Sequence, residues 1–312
     1  MAIPTKVEVT EVGPRDGIQA EPNFIPTEEK IRLVNALIDA GVPRIEFSSF
    51  VSPRAVPQLA DVAEVLKGVD RTKGTVLSAL VPNARGAIRA AEAGVDEIIV
   101  FMSASESHNL KNVNRTVEES LVGFEEVARI MGDAGIPVHG AIATAFGCPF
   151  EGEVPVEQLG RIAQRYIDMG FQGIGLGDTT GMATPPRVTK NVRHLRGIMG
   201  EVPLGLHFHN TRGIGLCNVM AGLDEGVTHY DASFAGLGGC PFVPKASGNI
   251  CTEDLVFLLH EMGIETGIDL RKLMSIANEV EQVIGRDLPG QVMKAGLLSD
   301  LHPMEDVKTA VG

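Results

Sequence analysis

Residues 38–50 read Ile-Asp-Ala-Gly-Val-Pro-Arg-Ile-Glu-Phe-Ser-Ser-Phe. An apolar and acidic helix end meets a glycine, an apolar residue follows, and a β-rich run begins at Arg44. Glycine there suits a left-handed position just past a helix, with the next apolar residue packing back on it. The same junction recurs as Glu92-Ala93-Gly94-Val95, Asp133-Ala134-Gly135-Ile136, Asp168-Met169-Gly170-Phe171 and Asp224-Glu225-Gly226-Val227. Each is followed within a few residues by another β-rich run. The chain therefore reads as repeated strand–helix units joined by short loops.

Outward from that stretch, the runs are VEVTEVG from Val7, RIEFSSF from Arg44, TVLSALV from Thr75 and EIIVFMS from Glu97. They continue as VHGAIATAF from Val138, GIGLGD from Gly173, LGLHFHN from Leu204 and YDASFAG from Tyr230. Most are continuously apolar, as in parallel strands buried on both faces. Helical periodicity predicts helices opening at Thr27 as a cap residue and over 84–93, 117–134 and 156–169. Eight such units favour a (β/α)8 TIM barrel over a doubly wound sheet. No GxGxxG follows the first strand, so no nucleotide redox cofactor is expected. The barrel domain is expected over 1–285, with a helical appendage from about 254 and a C-terminal tail over 286–312.

Composition bounds the function. The 312 residues are 44% hydrophobic and 21% charged, with 36 glycines, as in a globular protein rich in turns. A formal net charge of −13 argues against nucleic acid as a partner, because phosphate binding needs a basic face. No run approaches a membrane span in length. Cys148, Cys217, Cys240 and Cys251 form no C-x-x-C pair, and a cytoplasmic protein with reduced thiols is the simplest expectation. Cys217 and Cys251 read as small buried hydrophobes, and Cys148 leans the same way.

In a barrel enzyme, chemistry sits where strands end and βα loops begin. Arg15 and Asp16 follow the first run, Glu46 lies late in the second, and Asp178 ends the sixth. His207 and His209 end the seventh run, while Cys240 and Asn249 follow the eighth. Strand side chains alternate, so His207 and His209 project to one face, where two imidazoles can meet one cation. Two imidazoles with carboxylate and amide oxygens suit Mg²⁺ or Mn²⁺ better than structural zinc. A thiol on the glycine-rich loop Gly236-Leu237-Gly238-Gly239-Cys240-Pro241 can exchange protons, and the glycines suggest a mobile loop. Lys111, Asn112, Asn114 and Arg115 form a basic and amide cluster after the fourth strand.

Six motifs, in order, carry a resemblance. They are Val12–Gln19, Ser49–Pro53, Gly177-Asp178-Thr179, His207-Phe208-His209, Gly236–Pro241 and Ala246–Asn249. From about Val7 to Gly285 the chain resembles the 3-hydroxy-3-methylglutaryl-CoA lyase family. The resemblance implies a divalent metal, Mg²⁺ or Mn²⁺, on Asp16, His207, His209 and Asn249. It makes Arg15, Glu46, Asp178, Cys240 and Glu253 the other active-site positions. The implied reaction is retro-Claisen cleavage of an acyl-CoA to acetyl-CoA and a ketone product, acetoacetate for the namesake. Arg15 would face the developing enolate oxygen, and Cys240 would supply the proton. Coenzyme A would enter as part of the substrate, its phosphates meeting Lys111, Asn114 and Arg115. A homodimer or higher homo-oligomer is the family-level expectation.

The departures bear on the substrate. Phe47-Ser48-Ser49-Phe50 stands where these lyases show Thr-Thr-Ser-Phe after the glutamate. His209-Asn210-Thr211-Arg212-Gly213 stands where they show His-Asp-Thr-Tyr-Gly. Phe47, Asn210 and Arg212 are therefore expected substrate contacts, with Ser49 and Gln19 beside them, and a different acyl group would fit the changes. Claisen-condensing relatives share the metal ligands and often Asn210, but lack the Gly239-Cys240 loop. A catalytically silent metal-binding barrel is the remaining alternative.

Overall fold

A computed structural model describes residues 3–239 and 248–301. Eight parallel strands close into one barrel in sequence order. They are β1 (Glu8–Glu11), β2 (Arg44–Ser49), β3 (Val76–Leu80), β4 (Glu97–Ser103), β5 (Val138–Ala143), β6 (Gly173–Asp178), β7 (Leu204–Phe208) and β8 (His229–Ala232). β1 pairs with β8 from Glu8↔His229 to Glu11↔Ala232, which shuts the ring. Each of the eight runs read from the sequence holds one strand, and the five junction glycines all have φ between 68° and 83°. Those left-handed residues end helices where any Cβ would be strained.

The helical layer comprises α1 (Thr27–Asp39), α2 (Val62–Gly68), α3 (Ala84–Ala93), α4 (Glu106–Val113), α5 (Val117–Ala134), α6 (Val156–Asp168), α7 (Pro185–Met199), α8 (Gly215–Asp224), α9 (Thr252–Glu261), α10 (Leu270–Ile284) and α11 (Val292–Ala295). α9 follows β8 and packs on it, so it takes the eighth helical place in the ring. The additional helices begin at α10, not at about 254. α10 lies against α9 and α1, and α11, beyond residue 285, packs on both α9 and α10. Thr27 is not a cap: Pro26 occupies that position, and the Thr27 hydroxyl donates to Asp61 Oδ2 at 2.8 Å. Thr116 does cap α5, in a reciprocal arrangement with Glu119.

The apolar core lies between the strands' outer faces and the helices. Tyr166 on α6 is fully buried and stacks on Phe171, with ring centroids 4.9 Å apart. It fits because β5 passes it with Gly140, where a Cβ would collide with the Tyr166 ring. Among the described residues no helix is long and apolar enough to cross a membrane.

In β2 the pairing register slips between Glu46 and Ser48. This bulge lets Glu46 and Ser49, three residues apart, both reach the barrel cavity. Phe47 points the other way and is 2% exposed in the core. It is a packing residue and not the substrate contact expected from the sequence.

Gly140→Ala forces the Tyr166 ring out of its place and should destabilise the protein by about 1–3 kcal/mol, as overpacking does. A urea midpoint equal to wild type would refute this packing account of Gly140.

Candidate active site

A single π-helical turn over Gly13–Gly17 follows β1 and carries Arg15 and Asp16 into the barrel mouth. Its geometry depends on Glu11, which is fully buried. Glu11 Oε1 accepts the backbone N–H groups of Gly13 (2.6 Å) and Phe234 (2.9 Å). Glu11 Oε2 accepts the Thr252 hydroxyl at 2.6 Å. One carboxyl thus ties the loop after β1 to the loop after β8 and to the start of α9. Burial pushes Glu11 up to about 7, against the pull of its three donors.

Asp16 Oδ1 accepts Arg15 Nη1 at 2.7 Å and Gln19 Nε2 at 3.0 Å. Its Oδ2 accepts Asn249 Nδ2 at 2.8 Å. Burial would raise the Asp16 pKa, but Arg15 and the two histidines more than offset it and hold it at about 2. Arg15 reaches across to Glu46 Oε2 at 2.7 Å. Burial alone would lower the Arg15 pKa, and the two carboxylates reverse that, so it stays charged. Burial raises Glu46 despite the arginine beside it.

His207 and His209 come together as strand alternation requires, their Nε2 atoms 3.1 Å apart. His207 Nδ1 lies 3.3 Å from Asp231 Oδ2, a contact that fixes the ring's orientation. Burial would lower the His207 pKa; Asp231 overrides it and raises it. His209 is held down at about 4 by burial and by His207, so its ring stays neutral and able to donate a lone pair.

Asn249 arrives by backbone pairing. Asn210 N–H donates to the Gly248 carbonyl at 2.8 Å, and Ile250 N–H donates to the Phe208 carbonyl at 3.1 Å. This sets Asn249 beside His209 at the end of β7. Gly238, at φ 106°, passes so close that a Cβ would stand 2.5 Å from Asn249 Nδ2 and 3.2 Å from the Asp16 carbonyl. Glycine is required there for approach as well as conformation.

Ligand atoms of Asp16, His207 and His209 lie within 4.8 Å of one another. An ionised carboxylate, a neutral imidazole and a second imidazole fit a divalent cation, and these residues with the Asn249 oxygen would hold it.

A cavity of about 930 Å³ opens beside this cluster and runs down the barrel. Arg15, Asp16, Gln19, Glu46, Ser49, His207, His209 and Asp231 line it. Asn112, Asn114 and Arg115 line its outer part, whereas Lys111 does not. Lys111 and Asn112 lie on α4, and Asn114 is its left-handed C-cap at φ 54°, so the cluster sits at a helix end.

Other expectations are corrected. Arg212 donates to the Thr180 and Gly181 carbonyls, at 3.1 and 2.5 Å, and is spent on the neighbouring loop after β6. Asn210 Oδ1 accepts Gly215 N–H at 3.0 Å at the start of α8. Asp178 lies behind the cavity wall; its Oδ1 accepts Met182 and Ala183 N–H groups, and burial pushes it up to about 7. Glu253 is fully buried away from the cavity and accepts Ala235 N–H at 3.0 Å. Burial raises it to about 8. Cys251 and Cys148 are buried, but Cys217 is exposed, contrary to its reading as a core residue. Cys148 Sγ accepts the Ser105 hydroxyl. Cys240 lies outside the described residues.

The sequence reading missed Asp231 and Glu11. Both sat inside quoted strand runs, but the pairing of Asp231 with His207 is set by the β7–β8 register, which the sequence does not give.

The sequence profile of the HMGL-like family matches residues 6–280. The chain belongs to that family. It is 44% identical to the hydroxymethylglutaryl-CoA lyase of Bacillus subtilis, over 93% of this chain and 97% of that one. It is 41% identical to the human mitochondrial hydroxymethylglutaryl-CoA lyase, over 94% and 90%. An HMG-CoA lyase of Acinetobacter baumannii, solved with coenzyme A and 3-methylmalate, superposes with a TM-score of 0.93. It is 45% identical, with 97% of this chain and 99% of that chain covered. The family resemblance and the barrel are therefore borne out.

Glu11→Gln tests the buried carboxyl through its pH dependence. A folded-state pKa raised from 4.5 to about 7 means the stability tied to the proton is complete below pH 4.5. That stability is lost as pH rises to 7. The Tm of Glu11→Gln minus that of wild type should accordingly climb between pH 4.5 and 7 and level off above. A difference that stays flat or falls would show Glu11 to be ionised throughout.

Proposed function

We propose that the protein is a divalent-metal-dependent lyase that cleaves 3-hydroxy-3-methylglutaryl-CoA or a close analogue to acetyl-CoA and a 3-oxoacid. The observation that carries this reading is the joint placement of Arg15 and the Asp16–His207–His209 cluster on one wall of a deep cavity. The high identity to several HMG-CoA lyases over nearly their full length supports it.

A bound Mg²⁺ or Mn²⁺ supplies Lewis acidity to the substrate's tertiary hydroxyl. Asp231 is 39% exposed to the cavity beside His207, whereas Glu46 is engaged by Arg15, so Asp231 is the better placed to take the hydroxyl proton. The C2–C3 bond then breaks, C3 becomes a ketone, and the electron pair moves to the thioester as an enolate. Arg15, locked between Asp16 and Glu46, presents its guanidinium to the enolate oxygen at no cost of reorganisation. Proton delivery to C2 completes acetyl-CoA. Cys240, next in sequence after the cavity-lining Gly239, is the proposed donor. Asn114 and Arg115, which line the outer part of the cavity, would meet the coenzyme A phosphates. The substrate enters through the outer mouth, and no redox cofactor is needed.

Acetoacetate release from 3-hydroxy-3-methylglutaryl-CoA should vanish on chelation and return with Mg²⁺ or Mn²⁺. Arg15→Lys keeps the charge but loses the fork that spans two carboxylates, and kcat should fall about 100-fold with less change in KM. Undiminished turnover after exhaustive chelation would overturn the assignment. So would efficient condensation of acetyl-CoA with a 2-oxoacid in place of cleavage.

A further inference from the structure

Barrels of this kind ordinarily fill their interior with layers of branched side chains. Here β6 carries glycine at three successive inward positions, Gly173, Gly175 and Gly177, and β7 adds Gly205. A Cβ at Gly175 would meet no atom within 4 Å, and one at Gly205 would meet none closer than 3.7 Å. In a close-packed interior such a carbon would touch several neighbours. The space is therefore a chamber continuous with the active-site cavity.

Its upper edge is Gly177, paired in register with His207, and its lower edge is Gly173, paired with His139. The four residue steps of tilted strand from one to the other span about 11 Å along the barrel axis. The belt between carries Ile99, Ala141, Gly175 and Gly205, with Thr10 and Ser78 the polar intrusions. Ser78 has its hydroxyl donated to the Ile45 carbonyl. The floor is charged but internally paired. Arg44 bonds Glu97 and, at 3.0 Å, Glu8 Oε1; His139 Nε2 lies 3.2 Å from Glu97 and His229 Nε2 lies 3.7 Å from Glu8. A floor that satisfies its own charges asks for no charged ligand.

We infer that this chamber receives the substituent on C3 of the substrate and accepts an unbranched apolar chain several carbons longer than methyl. Gly175 and Gly205 set its capacity. The inference rests on the lyase reading and extends it to a substrate class. A C3 held at His207 has Gly205 directly below it on the same strand, two residues back, so a chain on that carbon runs down the axis over the glycines. Methyl would leave most of the chamber unfilled, while each further methylene buried there is worth about fourfold in transition-state binding.

The test compares kcat/KM for 3-hydroxy-3-methylglutaryl-CoA and its 3-hexyl analogue, with Mg²⁺, in wild type, Gly175→Leu and Gly205→Ala. Wild type should cleave the hexyl compound at least as efficiently as the methyl one. Gly175→Leu, whose side chain enters open space, should lower the hexyl-to-methyl ratio at least tenfold. Gly205→Ala should lower it less, and it carries the test if the leucine variant does not fold. Cleavage of the methyl compound alone by wild type overturns the chamber's role and leaves the lyase reading intact. A ratio unmoved in both folded variants does the same. Failure to cleave either compound overturns the lyase reading itself, and the chamber's assignment with it.

Discussion

Ring closure is the constraint on which both fold and site depend. β1 and β8 pair only when the whole chain between them has folded into six further strands and their helices. That closure brings Asp16 and Asn249, 233 positions apart in sequence, within hydrogen-bond distance. Glu11 then stitches the seam, with acceptor contacts to Gly13, Phe234 and Thr252. The entropy of closing so long a loop is met once, by the barrel, and the site adds little further ordering. A defect at the seam is consequently a defect in the metal cluster and not in stability alone.

The interior shows a different compromise. Apolar burial that stabilises the molecule comes from the outer faces of the strands against the helices, where Tyr166, Phe171 and Phe124 pack. The inner faces contribute less, since β6 offers glycines where other barrels offer branched side chains. A ring of ion pairs around Arg44 closes the bottom instead of a hydrophobic layer. Such largely buried pairs hold geometry more than they add stability. The barrel has kept its inner wall thin where a ligand can use the room.

Much of this was legible in sequence because it is local or periodic. Five helix ends announced themselves by a glycine that only a left-handed turn requires. The His207–His209 pair followed from strand alternation. What misled was polar side chains that backbone groups already satisfy. Arg212 looked like a substrate cation, yet its nearest acceptors are the carbonyls of Thr180 and Gly181. Asn210 looked like a lost carboxylate, yet it bonds the backbone five residues on, as asparagine often does. Phe47 was misplaced because a bulge moved the inward positions to Glu46 and Ser49. Contacts across the seam, and Asp231 behind His207, depend on register between distant strands, which no single stretch of sequence encodes.

The hydrogen bonds around the cluster also determine how each group can bind a cation. An ionised carboxylate has about four acceptor sites. Asp16 has given three of them to Arg15, Gln19 and Asn249. It therefore has about one left that could be offered to a cation. Asn249 has both amide N–H directions committed, to Asp16 and to the Leu237 carbonyl, so only its oxygen remains to offer. Gln19, with no direct claim on a cation, matters because it occupies the Asp16 oxygen that Arg15 already holds. Removing it would free a second acceptor site on the Asp16 carboxylate.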